Sequence, residues 1–426
     1  MVSAFFFMQA SGAHLTADLS LAKRMMAGEE AMWEVNGASD LHHRDWPGKL
    51  EIVRTEAGFD ALKPVWDELL ESSQTRTPFM RWDWVRLWWE LYGADYELAL
   101  VVAKDGFGVV QAIAPLVIGC SSSGARQYLK QLCWLGGVGD VEGEVMDFLV
   151  PAGREQELTP RLCQGLKLLG ASWQGVRLNK IPEESPNLPI LMQELKGFTV
   201  FTGVVNIHDS RRTCLDGDWD RYAARHSGRW RRNLRKRWDA VMSIEGMERL
   251  RAGVEMSGEE AMTQMGALHE NRWAGIGSSF RQDRAWEFHR RLAAKWISSG
   301  RAEMPMLALK GKMVAGCYGF IEGEHFYHYQ IGWDCQYAAF SMGNLAVKNC
   351  VELCLERGVR EYEMLSGEYR YKTEWCPEAR RLIDVEGYAQ GSPAAACFVG
   401  LRSLKRMIRP RVGVVGSVGE GDVGEG

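Results

Sequence analysis

Residues 325–366 read HFYHYQIGWDCQYAAFSMGNLAVKNCVELCLERGVREYEMLS, and this stretch decides the fold. An aromatic run of strand character ends in Gly-Trp-Asp, an irregular segment follows, and an apolar pattern of helical period then fills 344–357. Gly358 stands where a helix C-cap is expected, and "VREYEMLS" reads as another strand. Strand, helix and strand in this order belong to an α/β protein. Irregular segments beyond strand ends are where such proteins keep their chemistry.

A helix starting near Asn344 has first-turn N–H groups with no partner inside the helix, and with the helix dipole they attract an anion. Gly343 would let a phosphate approach the backbone. A cap made by Ser341 or Asn344 is the alternative, and the local sequence leaves both open. Just beyond, "GEYRYKTEW" (367–375) is dense in ionisable and aromatic groups.

Outward from this stretch, the order of elements repeats. In the first half, 59–73 and 81–93 have helical spacing, and 96–118 reads as two strands around Lys-Asp-Gly. In the second half, 258–273 and 284–300 are helical, and 303–323 gives two strands around Lys-Gly-Lys. The hairpins lie about half a chain apart, as an internal duplication would place them. Residues 124–140 and "MDFLV" (146–150) suggest further strand, 158–170 a helix, and the Pro-rich 181–189 a linker. The expected architecture is two mixed sheets flanked by helices, one in a unit over 49–200 and one over 201–390. Residues 1–48 are expected to be disordered, and 391–426 to hold a basic amphipathic helix and a Gly-rich acidic tail.

With 426 residues, 46% of them hydrophobic, the chain can bury a sizeable core, and a net charge of −4 gives no global sign of nucleic-acid binding. "AFFFM" near the N-terminus is too short an apolar run for a signal or a membrane span, so a cytoplasmic location is expected. Ten cysteines form no CxxC pair, and Cys350 and Cys354 read as two inward positions on a helix. That pattern suits a reducing compartment better than disulfides or zinc, and no metal is expected.

Three further features bear on chemistry. In 221–238, eight of eighteen residues are Arg or Lys and none is acidic, while Trp230, Leu234 and Trp238 recur every fourth residue. One face of that helix is therefore apolar and the rest basic. It reads as a solvated helix docked by its aromatic stripe, or as a phosphate contact, with a small phosphorylated ligand favoured over RNA. "HENRW" (269–273) lacks the second histidine of a zincin; His269 reads equally as a substrate contact or a half-buried structural residue. His325 and His328, three apart on a strand, face opposite ways. "HHRD" (42–45) falls in the segment expected to be disordered.

The stretch from 326 to 375, "FYHYQIGWD…SMGNL…ERGVREYEMLSGEYRYKTEW", resembles the acetyltransferase domain of cellulose-biosynthesis-associated proteins of the CelD type. That family lies in the GNAT superfamily and is related to the Fem-type aminoacyl transferases, which are tandem GNAT folds. Gln330, Gly332 and Asp334 match the strand end, and Ser341 and Gly343 the helix opening, where Met342 replaces the family's proline. Arg357 and Gly358 match the helix end, and Gly367, Tyr371, Lys372 and Trp375 the last motif. Glu363 and Glu368 stand where aspartates are usual, and Met364 where phenylalanine is. "RWRRNLRKR" and "HENRW" fit the family's arginine-rich segment and its Arg-Trp helix.

The resemblance implies a tandem GNAT-like fold. It also implies transfer of an acyl group, acetyl in the first instance, from acyl-CoA to an amine of a small or envelope- or exopolysaccharide-related acceptor. Ser341, Gly343, Asn344 and Arg232 are the donor-binding candidates. Glu368 and Asp334 would accept a proton, Tyr371 would protonate the leaving thiolate, and Lys372 would hold negative charge. His269, Arg272, Tyr329 and Gln330 are the acceptor-binding candidates. The superfamily's Gly-rich phosphate loop is missing, which keeps aminoacyl-tRNA open as donor. A lipid amine reached by peripheral membrane contact is a further acceptor, and a non-catalytic binding module a further role.

Overall fold

The computed structural model describes residues 46–120, 129–272, 280, 283–367 and 369–408, without the side chains of 271, 272 and 401–408. Strands in the first half are β1 (Lys49–Val53), β2 (Glu97–Leu98), β3 (Leu100–Lys104), β4 (Val110–Ala114), β5 (Leu116–Cys120), β6 (Lys130–Trp134) and β7 (Gly175–Pro182). Helices α1 (Glu56–Asp60), α2 (Lys63–Ser72), α3 (Trp82–Tyr92), α4 (Glu155–Leu168) and α5 (Asn187–Lys196) accompany them. The helical pattern expected over 59–73 is split in two, because Pro64 fits only the first turn of a new helix.

In the second half come β8 (Thr199–Cys214), β9 (Met247–Arg251), β10 (Ala302–Glu303), β11 (Pro305–Leu309), β12 (Lys312–Glu322), β13 (His325–Trp333), β14 (Glu361–Ser366) and β15 (Glu378–Ala389). Its helices are α6 (Trp219–Ala224), α7 (Gly228–Met242), α8 (Gly258–Arg272), α9 (Asp283–Ser298), α10 (Met342–Glu356), α11 (Arg370–Trp375) and α12 (Pro393–Ile408).

The mixed α/β class with sheet flanked by helices is as expected. A small antiparallel sheet has the order β1-β3-β4; the remaining strands form one twelve-stranded sheet, β2-β5-β6-β7-β15-β8-β14-β13-β12-β11-β9, with β10 beside β12. The halves share this sheet because β15, the last strand, pairs with β7 on one side and β8 on the other. Both expected hairpins form. In the first, the Asp105 carboxylate accepts from the Phe107 and Val109 N–H groups; in the second, Lys310 and Gly311 turn the chain at φ 52° and 79°. "MDFLV" makes only a single bridge, Leu149 to Ile113, and not a strand. The Pro-rich 181–189 is structured, closing β7 and opening α5.

One apolar core joins the halves, with Trp66, Trp84 and Trp134 from the first and Phe288, Trp296 and Phe320 from the second. Aromatic rings of this size bury the most surface per residue and so dominate such a joint. Charges at the seam are paired. Arg81 is bound to Glu322 across the halves, and Arg291 to Glu90 on the facing helices α9 and α3. A second core lies under α10 and takes in Leu345, Cys350, Tyr362 and Trp375.

Candidate functional site

The site begins where the sheet fails to close. β13 and β14 pair in parallel over only three positions, His325 with Glu361 to Tyr327 with Glu363. Directly afterwards β13 bulges against β12: Gly319 faces His328 and Tyr318 faces Gln330, leaving Tyr329 as the extra residue. The edge of β13 from 328 to 333 therefore has no ladder partner on the β14 side. A wedge opens there between two strands that are neighbours lower down.

At the top of that wedge sits the start of α10. Ser341 occupies the N-cap position in the left-handed region, φ 54° and ψ 53°, and its side chain makes no capping bond. Asn344 does not cap either, since its Oδ1 accepts from the Trp375 indole at 2.8 Å. Neither capping alternative open at the sequence level is thus used. A methyl group on Gly343 would meet Trp333 at 3.4 Å, an ordinary contact, so packing inside the protein does not demand glycine there. Gly332 is different: a methyl on it would lie 2.7 Å from Met265 Sδ, so that glycine lets α8 pack closely on β13. Asp334 starts the turn after β13, its Oδ1 accepting from the Gln336 N–H at 2.9 Å.

On the other bank, β14 ends under strain. Leu365 has φ 58°, a conformation L side chains rarely adopt, and Gly367 follows at φ 121°. The carbonyls displaced by this kink are held by one cation. Lys372 Nζ donates to the Ser366 oxygen at 2.6 Å and the Leu365 oxygen at 3.4 Å. Burial pulls its ammonium down to about 8; nearby Glu144 works against that shift and Lys180 with it. Lys372 is therefore buried at the kink and forms no ion pair among the described residues. Tyr371 is half-buried, with Tyr369 at 6.0 Å between ring centroids. Glu368 lies outside the described residues. Trp375 packs, fully buried, and its carbonyl accepts from Tyr222.

His269 and Gln330 meet, Nε2 to Oε1 at 3.0 Å, and Phe280 lies over the imidazole at 5.1 Å. Tyr329, beside Gln330, stands among Phe79, His289 and Phe320. Burial, with Glu144 facing it, raises its phenol well above the usual range. Arg272 ends α8, its side chain outside the described residues.

Sequence reasoning missed what faces these groups from the first half. Lys180, on β7 at φ 57°, binds Glu144 at 2.8 Å and Glu142 at 3.4 Å. Burial disfavours its charge, but those two carboxylates hold the proton on. Its backbone N–H donates to Asp384 Oδ1, whose Oδ2 takes Asn206 and His208. Against its burial, His208, Asn206 and that N–H keep the Asp384 carboxyl below its ordinary value. Except for Glu144, these residues line a cavity of about 430 Å3 together with Asp140, Arg177 and Arg284. No spacing in the sequence could have revealed it, because β15 brings Asp384 to His208 only through the sheet.

The basic helix α7 docks as its stripe predicts, with Leu234 buried and Trp230 and Trp238 half-buried. Trp230 meets Trp375 edge-on at 5.0 Å, and Trp375 holds Asn344, so the helix is tied to the start of α10. Arg231, Arg232, Arg235 and Lys236 face an open groove of about 550 Å3. None of the four pairs with a carboxylate among the described residues.

Residues 228–373 match the family model of the acetyltransferase (GNAT) domain. The matched domain takes in α7, the opened strand pair, α10 and Lys372, and an acetyltransferase domain of the GNAT type in the second half rests on this match. No curated protein matches the sequence. Among solved structures, FemX is similar at 11% identity and TM-score 0.54, over 84% of this chain and 99% of that one. This is a likeness of fold, and it extends the fold assignment beyond the matched domain. L-PGS from Bacillus licheniformis is similar at 13% identity and TM-score 0.47, over 80% of this chain and 96% of that one. A tandem GNAT protein from the clavulanic acid biosynthesis pathway is similar at 15% identity and TM-score 0.44, over 81% and 100%.

Proposed function

We propose that the protein transfers an acyl group, acetyl in the first instance, from acyl-CoA to an amine. The observation that carries this reading is the wedge between β13 and β14 beneath the uncapped start of α10. An extended pantetheine arm could complete the open edge of β13 as a missing strand would. The pyrophosphate would then meet the first N–H groups of α10, and the α7 arginines its remaining charge. The amine nitrogen attacks the thioester carbonyl, the C–S bond breaks, and the thiolate leaves. Lys372, with its pKa near 8, is the group best poised to take the amine's proton at working pH, and Tyr371 to protonate the thiolate. Open N–H groups on β13 would stabilise the oxyanion.

The cavity of about 430 Å3 offers the acceptor both signs of charge, with Arg177 and Arg284 against Asp140 and Glu142. An acceptor carrying an amine and an anionic group suits it. The CelD-type resemblance points to an intermediate of envelope or exopolysaccharide synthesis, by analogy alone.

A second reading, aminoacyl transfer from tRNA, draws on the unpaired cations of α7. Calorimetry separates the two. Saturable heat with coenzyme A is expected, and none would overturn the first reading. Binding of tRNA that weakens steeply with salt, and disappears when Arg231, Arg232 and Arg235 become Gln, would establish the second.

A further inference from the structure

On the face of the sheet that α10 covers, three residues from three elements converge. They are Cys317 of β12, His328 of β13 and Cys350 of α10; all are buried, and their donor atoms lie within 4.8 Å of one another. We infer that this cluster is a structural site for a thiophilic divalent cation, zinc foremost, which pins α10 to the sheet beside the donor wedge.

The histidine is the most telling member. Its Nδ1 is 2.6 Å from the Tyr362 hydroxyl, while Nε2 is buried and meets no geometrically formed hydrogen bond among the described residues, the ring standing beside the Cys350 thiol. Metal-bound histidines have this pattern: one ring nitrogen is held by a second group, which fixes the ring and leaves the other for the ion.

The thiols add the rest of a coordination shell. Cys350 is in hydrogen-bonding contact with both Cys317 and Cys354. Cys354, one turn further along α10 and 2% exposed, touches Cys350 but stands outside the three-residue cluster. Soft sulfur with one imidazole selects zinc over calcium or magnesium. Each coordinating cysteine would surrender its thiol proton to solvent, so loading releases protons and weakens at low pH. No CxxC spacing announces such a site, because every element supplies its ligands separately. The expectation of no metal, drawn from spacing, is what this proposal replaces.

The test uses the full chain, expressed with zinc in the medium and purified without chelator. Elemental analysis should find about one zinc per chain, and far less in Cys350→Ala and Cys317→Val. A chelator should lower the Tm of the wild type and leave that of Cys350→Ala unchanged. Because either variant could misfold, cobalt(II) exchange into the wild type gives an independent readout, and a thiolate-to-cobalt charge-transfer band is expected. A metal-free wild type with no such band, whose Tm ignores both zinc and chelator, overturns the proposal. So does a loss of two free thiols in the absence of reductant, which would mean a disulfide in place of the ion.

Discussion

Two junctions in the same sheet behave in opposite ways. β8 and β15 stay in register across twelve positions, from Glu378 with Arg212 to Ala389 with Thr199, with small bulges only. β13 and β14, the next two strands beyond β8, part after three. The closed junction fixes the frame and holds the halves together. At the open one the molecule tolerates a leucine at positive φ, a lysine buried against carbonyls and a helix start without a cap. Strain and unmet polar groups of this kind persist only where the surrounding fold imposes them, and they gather where ligands bind.

The difference can be tested by substitution, beginning at the open junction. Lys372→Met keeps an unbranched stem as far as Cε and removes the nitrogen, and should reduce the release of free coenzyme A by about a hundredfold or more. The same lysine carries a signature in stability. Its pKa of about 8 lies below the ordinary 10.5, so between those values the unfolded chain binds more protons than the folded one. The lysine's own contribution to stability should therefore rise with pH across that window, by up to roughly 3 kcal/mol, with its penalty complete below pH 8. Denaturant midpoints at pH 7.5 and 10 measure this as the difference between wild type and Lys372→Met, which should shift in favour of the wild type at the higher pH. Equal slopes in the two proteins would mean that the lysine is solvated.

At the closed junction the expected response is of another kind. Leu382 is fully buried on β15, and Leu382→Ala should lower stability by about 3 kcal/mol while kcat per folded molecule stays as it was. A selective fall in kcat would place chemistry where the frame is expected. Third in size comes α7. Neutralising Arg231, Arg232 and Arg235 with Gln should raise KM for the acyl donor by about tenfold at low salt, and by less at high salt, as screening predicts. The smallest effect is Gly343→Ala. The fold has room for the methyl, so Tm should not move, while coenzyme A binding should weaken by about threefold if a phosphate rests there. Calorimetry on the two proteins decides it, and equal affinities would leave the start of α10 with no ligand.

Much of the second half was legible because its signals are local. The Gln330 to Gly358 pattern, the Trp230, Leu234 and Trp238 stripe, and both hairpin turns follow from short-range periodicity and turn chemistry. The first half yielded its hairpin for the same reason, but "MDFLV" misled: an apolar run of five reads as strand, yet its partners reduce to one bridge. The site was legible only on one bank. Lys372, Gln330 and His269 came from motifs, whereas Lys180, Glu144, Asp384 and His208 are assembled by strand pairing between residues far apart in sequence. Asp334 shows the limit from the other direction, since at the structural level one of its oxygens caps a turn. Sequence motifs name the residues without saying which duty each performs.

The place of β15 has a consequence for how the chain is made. Its two neighbours, β7 and β8, are synthesised some two hundred residues before Glu378 leaves the ribosome. Until then each presents an unpaired edge in the middle of what will be the sheet, the kind of edge that recruits foreign strands. The first half thus cannot reach its finished form before β15 has been made, and the final assembly step waits for that strand.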